Sequence, residues 1–234
     1  MNNVCELLRK GMYEEADILS RKIVREYAND NCIDIMDNII NLVDNVTGGL
    51  GYTREEPLDE SRMNYAGYYI AWPDVLSDNS KILEIGTGLG RTAFIVHYTI
   101  KPHLYLTIDN SIKMLYIALY RNPIEDYRRV LWEKDVKIVY GDALYVLRCI
   151  NDTFDHVIHD GGPNPRKNRR IYSKYFFSLL KKLLRKNGSL SVFIGSYRVM
   201  QDFIYNTLID LGFNVIETVS LPFSKARVIH AVKS

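Results

Sequence analysis

The sequence predicts a doubly wound α/β fold: a seven-stranded, mostly parallel sheet with an antiparallel C-terminal hairpin and an N-terminal helical extension. Three observations predict it. From residue 80 onward, short apolar runs alternate with amphipathic stretches, the pattern of strands covered on both faces by crossover helices. A glycine-rich turn, Gly86-Thr87-Gly88-Leu89-Gly90, follows the first of those runs. The last two runs are separated only by Val219–Ala226, too short for a crossover helix, so they pair antiparallel at one edge.

Taken in order, residues 4–46 read as helix. Leu7, Leu8, Met12, Ile18, Leu19, Ile23, Val24 and Tyr27 recur at three-to-four spacing, and a second run over 33–46 follows a break at Asn29-Asp30-Asn31. Thr47-Gly48-Gly49-Leu50-Gly51 stops that helix and opens a loop through Pro57. Residues 59–76 read as helix again and carry Tyr65, Tyr68, Tyr69 and Trp72. The strands follow at Lys81–Ile85, Leu104–Ile108, Val136–Val139, His156–Ile158, Leu190–Ile194, Phe213–Thr218 and Arg227–Val232. The division is therefore a helical extension over 1–76 and a ligand-binding domain over 77–234.

Composition sets the class. Of 234 residues, 47% are apolar and 25% charged, as in water-soluble globular proteins. No apolar run reaches the ~20 residues that span a bilayer. Charges at Glu6, Arg9 and Lys10, with no apolar segment behind them, do not fit a secretory signal, so a cytoplasmic protein is expected. Cys5, Cys32 and Cys149 are scattered and lack CxxC spacing, which predicts free thiols rather than a disulfide or zinc frame. The histidines show no HxxxH or HExxH spacing, so no metal site is expected. The net charge of +2 is unevenly distributed. Residues 1–60 hold 13 acids against 6 bases, whereas 161–201 hold no acid and ten bases, from Arg166 to Arg198. Such polarity suits either an anionic partner or a solvated helix face.

The candidate chemistry lies at the carboxyl ends of the strands. In Glu84-Ile85-Gly86-Thr87-Gly88-Leu89-Gly90, glycines permit a tight turn and close approach of a ligand, and the following helix N-terminus offers free N–H groups. About twenty residues on, Asp109 ends the second strand, placed to accept hydrogen bonds from ribose hydroxyls. Gly88-x-Gly90-x-x-Ala93 also fits a dinucleotide fingerprint, but counting from Gly86 puts Arg91 at the third position, where that fingerprint fails. Gly141-Asp142-Ala143 follows strand three; Asp142 could accept from an exocyclic amine, cap the next helix, or both. Asp160 ends strand four, next to strand one, and is a candidate base or amine-orienting group. His159 alternates away from it and reads as packing. Asn164 could hold a substrate amide or amine. The aromatic cluster around Tyr65 could cap the pocket or stack on a base; at helical spacing it equally reads as core or interface.

These residues resemble the class I S-adenosylmethionine-dependent methyltransferases, with their Rossmann-like sheet, over about residues 80–234. Within that superfamily the chain is similar to the spermidine-synthase-like branch, especially an uncharacterised archaeal group of predicted methyltransferases. The likeness runs through Thr87-Gly88-Leu89-Gly90-Arg91-Thr92-Ala93, Arg121-Asn122-Pro123, and Ile158-His159-Asp160 followed by Ile171-Tyr172-Ser173-Lys174-x-Phe176. That group continues the strand-four Asp with Pro-Pro-Arg, where this chain has Gly161-Gly162-Pro163. Aminopropyltransferases carry a second acid there, in Asp-Ser-x-Asp-Pro, where this chain has Asn164 after Pro163. The resemblance implies S-adenosylmethionine as cofactor. Gly86, Thr87, Gly88 and Gly90 would hold its methionine moiety, Asp109 with Asn110 its ribose, and Asp142 with Ala143 its adenine. Glu84 would order the loop and the amino group. Read from the residues themselves, Asp160 is the candidate catalytic group and Asn164 and Tyr65 are candidate substrate contacts, with no metal required.

The expected activity is methyl transfer to a small molecule or an RNA, the latter drawn by the basic stretch 166–186. Alternatives are aminopropyl transfer from the decarboxylated cofactor, a non-catalytic nucleoside-binding or partner subunit, and, last, an NAD oxidoreductase. The N-terminal helices could also pair two copies of the chain into a homodimer.

Overall fold

The computed structural model describes residues 2–30, 60–162, 164–221 and 224–234. The expected helix over 33–46, the glycine loop at 47–51, Cys32 and Pro163 lie outside them.

Seven strands form one sheet: β1 (Lys81–Ile85), β2 (Leu104–Asp109), β3 (Val136–Tyr140), β4 (Phe154–His159), β5 (Leu184–Gly195), β6 (Phe213–Ser220) and β7 (Arg227–Lys233). Their order is β3-β2-β1-β4-β5-β7-β6. The first five run parallel, and β7 pairs antiparallel with both β5 and β6. The chain winds outward from β1 to β3 and then returns to place β4 on the other side of β1. That reversal opens a crevice at the carboxyl ends of β1 and β4, where ligands bind in open α/β sheets.

The helices are α1 (Asn2–Arg9), α2 (Tyr13–Asp30), α3 (Glu60–Ala71), α4 (Arg91–Thr99), α5 (Ile112–Tyr116, prolonged by a π-helical turn over Ile117–Arg121), α6 (Glu125–Val130), α7 (Ala143–Val146), α8 (Lys174–Leu183) and α9 (Arg198–Asp210). They bury both faces of the sheet. Ile82 packs with Ala93, Val96 and Ile70 of α4 and α3, while Leu83, one residue on, packs with Phe177, Leu180 and Ile204 of α8 and α9. Among the described residues no helix is long and apolar enough to cross a membrane.

The single helix expected from residue 4 is two. Gly11, at φ +71°, turns the chain between α1 and α2. The expected helix to residue 76 ends at Ala71. Pro73 disfavours α geometry at Trp72, which takes φ 48° and ψ 56° and is followed by a 3-10 turn, Pro73–Val75. The buried Trp72 ring stacks on His230 at 4.2 Å.

The extension seals an edge of the sheet. β3 is a terminal strand, and an edge strand presents unpaired N–H groups. Here Asp17 Oδ1 accepts from the Ile138 amide at 2.8 Å, and Ser20 Oγ accepts from the Tyr140 amide at 3.1 Å. Side chains of α2 thus take the place of a neighbouring strand. Asp17 is held in turn by Arg21 Nε at 2.7 and 2.8 Å, and Arg21 Nη2 donates to the Leu131 carbonyl at 2.8 Å.

The expectation of free thiols is overturned for two of the three cysteines: Cys5 and Cys149 form a disulfide across 144 residues. Spacing carries no signal for such a pair. It arises because α1 packs beside the turn after α7, with Val4, Leu8 and Val146 around the bridge. We expect peptide mapping of unreduced protein to recover Cys5 and Cys149 on one linked fragment. Cys149→Ser should lower the unfolding free energy by about 2–4 kcal/mol. Equal stability with and without reductant would remove the bridge from the native fold.

Candidate active site

The glycine loop fills the gap between the ends of β2 and β4. Gly86 N donates to Ile108 O at 2.8 Å, and Asp160 N donates to Ile85 O at 3.0 Å. At Gly86, φ +96°, a Cβ would stand 2.6 Å from the Asp160 carbonyl oxygen, so the closeness of β1 to β4 demands glycine. Gly88, φ +51°, is different: a Cβ there would meet no heavy atom within 4 Å. The space above it is open. Gly90 caps α4 against Tyr127 and Leu131. From the side, Asn122 Nδ2, just after the π-helical turn, donates to Leu89 O at 2.7 Å and steadies the loop.

Glu84 supports the loop from below. It is fully buried. Thr92 of α4 donates its hydroxyl to one oxygen, and Thr107 of β2 donates to the other at 2.7 Å. Thr107 also meets the buried Thr87 hydroxyl of the loop at 2.8 Å. Burial pushes the Glu84 carboxyl up to about 8, against the lowering effect of the two hydroxyls.

Asp109 is tied to the same loop, accepting from Gly88 N at 3.2 Å and Ser111 N at 2.8 Å. Burial raises its pKa, while the amides around it favour the ionised form. Asn110, beside it, is exposed. Asp142 lies on the adjacent strand's exit, since Gly141 N donates to Asp109 O at 2.9 Å. It caps α7, accepting from Tyr145 N at 3.4 Å, and pairs with Arg170 at 3.4 Å; buried Ala143 begins that helix.

Asp160 faces the loop from β4. Its carboxylate is bound by Arg91 Nη2 at 2.7 Å, and both side chains are largely shielded, 19% and 24% exposed. Burial raises its pKa, and Arg91 opposes that shift. The sequence singled out Arg91 only as the residue that spoils a dinucleotide spacing, and its partnership with Asp160 was missed. The Arg91 stem rests against α3, where a Cβ at Gly67 would come within 2.8 Å of Arg91 Cγ. The extension therefore reaches the site.

His159 points the other way. Nε2–H donates to Ile171 O at 2.7 Å, Nδ1 accepts from Gly161 N at 3.3 Å, and the ring stacks on Tyr172 at 4.5 Å. Burial pulls its pKa down to about 4, so the ring is neutral at pH 7. Asn164 and Tyr65 each have partners of their own. Asn164 Oδ1 accepts from Arg166 N at 3.1 Å and its carbonyl accepts from the amides of Lys167 and Asn168, which makes it a turn former. Tyr65, on α3, stands half-exposed and edge-on to Tyr69 at 5.3 Å.

The structure also divides the basic stretch. Lys174 pairs with Asp210 at 3.1 Å, Arg185 with Asp155 at 2.5 Å, and Lys181 reaches Gly212 O at 3.1 Å. Arg166, Arg169 and Arg170 remain exposed near the carboxyl ends of β4 and β5, Arg166 stacked over Tyr197 at 4.5 Å.

Residues 109–234 match a family model described as S-adenosyl-L-methionine-dependent methyltransferase. An uncharacterised protein of Methanocaldococcus jannaschii is 30% identical over 117 residues, covering 50% of this chain and 38% of that protein. The chain thus spans well under half of that relative. Three solved structures share the fold: spermidine synthase from Thermotoga maritima (TM-score 0.60, 16% identical, 74% of this chain and 60% of that one), a ribosomal protein L11 methylase from Lactobacillus delbrueckii subsp. bulgaricus (0.55, 15%, 74% and 79%), and a precorrin-6y C5,15-methyltransferase from Geobacter metallireducens GS-15 (0.56, 14%, 72% and 87%).

The Glu84 carboxyl supplies a pH test. A carboxyl whose pKa is higher in the folded chain adds stability at low pH and loses it as pH rises from 4.5 to about 8. The native protein should therefore lose roughly a few kcal/mol of unfolding free energy across that window relative to Glu84→Gln. Parallel stability–pH curves for the two proteins would show that Glu84 titrates normally.

Proposed function

We propose that this chain, which belongs to the S-adenosyl-L-methionine-dependent methyltransferase family, transfers a methyl group from S-adenosylmethionine bound over its glycine loop. The observation that carries this reading is the open cradle at Gly88, set between the first turn of α4 and the Asp109 carboxylate. Glycine backbone and helix N–H groups suit a ligand that must approach closely. An acceptor-only carboxylate suits a vicinal diol.

In this reading Gly86, Thr87, Gly88 and Gly90 hold the methionine moiety, Glu84 fixing them through Thr87, Thr92 and Thr107. Asp109 with Asn110 takes the ribose, and Asp142 with Ala143 borders the adenine. The bound sulfonium supplies an electrophilic methyl. What the chain contributes is alignment, because in-line displacement is accelerated mainly by positioning. Asp160, held by Arg91, is the group that takes up a proton from an acceptor that must lose one. Residues 77–234 would carry these roles, with 1–76 bracing β3 and Arg91. A cytoplasmic location fits an intracellular donor; the Cys5–Cys149 bridge argues the other way, because reducing compartments keep thiols apart.

Calorimetric titration tests the reading. S-Adenosylmethionine should bind the native protein, and Asp109→Ala should weaken it at least tenfold, the size of a lost charge-assisted hydrogen bond. Binding of NAD instead, or of neither, overturns it.

The exposed Arg166, Arg169 and Arg170, with Arg166 on the Tyr197 ring, favour an anionic acceptor such as RNA. RNA affinity should then fall steeply with salt, and Arg169→Ala should reduce the slope of log K against log salt by about one. Absent or salt-insensitive binding leaves a small-molecule acceptor.

A further inference from the structure

Among the described residues, the Arg91–Asp160 pair is a shielded ion pair beside the glycine loop, with Asp160 packed against Gly86. Asp160 comes from β4 and Arg91 from the first residue of α4, so the two opposite charges flank the loop on which the donor's amino-acid end is read to lie. An α-amino acid is itself a pair of opposite charges, an ammonium and a carboxylate. A guanidinium presents a planar fork of N–H groups matched to a carboxylate, and a carboxylate accepts from an ammonium. The contact of Arg91 with Gly67 fixes the stem of the side chain, which lowers the entropy lost when its head engages a ligand.

We propose that Arg91 is the specificity-determining residue of this site: it pairs with the α-carboxylate of the bound amino-acid moiety while Asp160 faces the ammonium, so the pair selects the intact cofactor over its decarboxylated form. The inference rests on the cofactor reading above and goes beyond it, because that reading assigns no ligand group to Arg91 and gives Asp160 only the acceptor's proton. It also bears on the reaction. Aminopropyl transfer uses the decarboxylated donor, which has an ammonium but no carboxylate, and would leave Arg91 facing no anion of the ligand.

The test is a binding matrix by calorimetry: native protein, Arg91→Met, Arg91→Lys and Asp160→Asn, each titrated with S-adenosylmethionine and with the decarboxylated compound. Native protein should prefer the intact form by about tenfold or more, the size of a charge-assisted contact. Arg91→Met should lose that preference through weaker binding of the intact form alone, with the decarboxylated form within about threefold of native. Arg91→Lys, which keeps the charge without the fork, should retain part of it, and it serves if Arg91→Met fails to fold. Asp160→Asn should weaken both ligands together, since both carry the ammonium. Equal loss of both ligands in Arg91→Met, or no preference in the native protein, overturns the assignment while leaving the cofactor reading intact. Native protein that binds neither compound overturns both.

Discussion

Glu84 sits at the centre of β1 with no exposure to water, and its two oxygens are held by hydroxyls from α4 and β2. A buried carboxyl is costly unless hydrogen-bonded or neutral, so Thr92 and Thr107 are constrained to stay where they are. Thr107 in turn meets Thr87, which fixes the loop. The loop's amides then meet Asp109, and its close approach to β4 sets the position of Asp160. Each acid of the candidate site is thus located by a chain of contacts that begins at one buried acid set between Leu83 and Ile85. A leucine at that position would satisfy the sheet, but it would leave the Thr92 and Thr107 hydroxyls to find other partners.

Much of the fold was legible because its signals are local. Strand–helix alternation and the glycine loop each lie within a few residues, and Asp109 follows at a fixed distance on the next strand. The proximity of Asp160 to the loop followed from topology alone, since a doubly wound order places β4 beside β1. What was not legible depends on residues far apart in sequence. The Arg91–Asp160 pair spans 69 positions and the Asp17–Ile138 contact 121. The Cys5–Cys149 bridge spans 144. No spacing rule reaches such pairs; the first comes from the start of α4 meeting the end of β4, the other two from packing α1 and α2 on the β3 side. Asn164 shows how one side chain can carry a local use that spacing does not reveal: its Oδ1 accepts from the Arg166 amide and shapes the turn after β4.

The basic stretch after β4 carries a similar lesson about charge. A run of ten cations without an acid looks like one surface, yet five of them meet partners within the chain: Lys174 with Asp210, Arg185 with Asp155, Arg170 with Asp142, Arg198 with Asp202, and Lys181 with the carbonyl after α9. Exposed pairs of this kind contribute little stability, but they redistribute the field. Arg166, Lys167 and Arg169 stay exposed at the end of the sheet where the open cradle also lies.

The position of β7 bears on how the molecule is made. It follows β6 in the chain but lies between β5 and β6 in the sheet, antiparallel to both. During synthesis β5 and then β6 leave the ribosome before the only strand that can join them. Until it arrives, β5 has a bare flank and β6 has no partner at all, the condition in which strands recruit foreign chains. The β1–β5 half of the sheet is thus synthesised in full before the far edge can close. The strands that border the crevice, β1 and β4, are both made before β6 and β7, so the crevice does not depend on the last strand to exist.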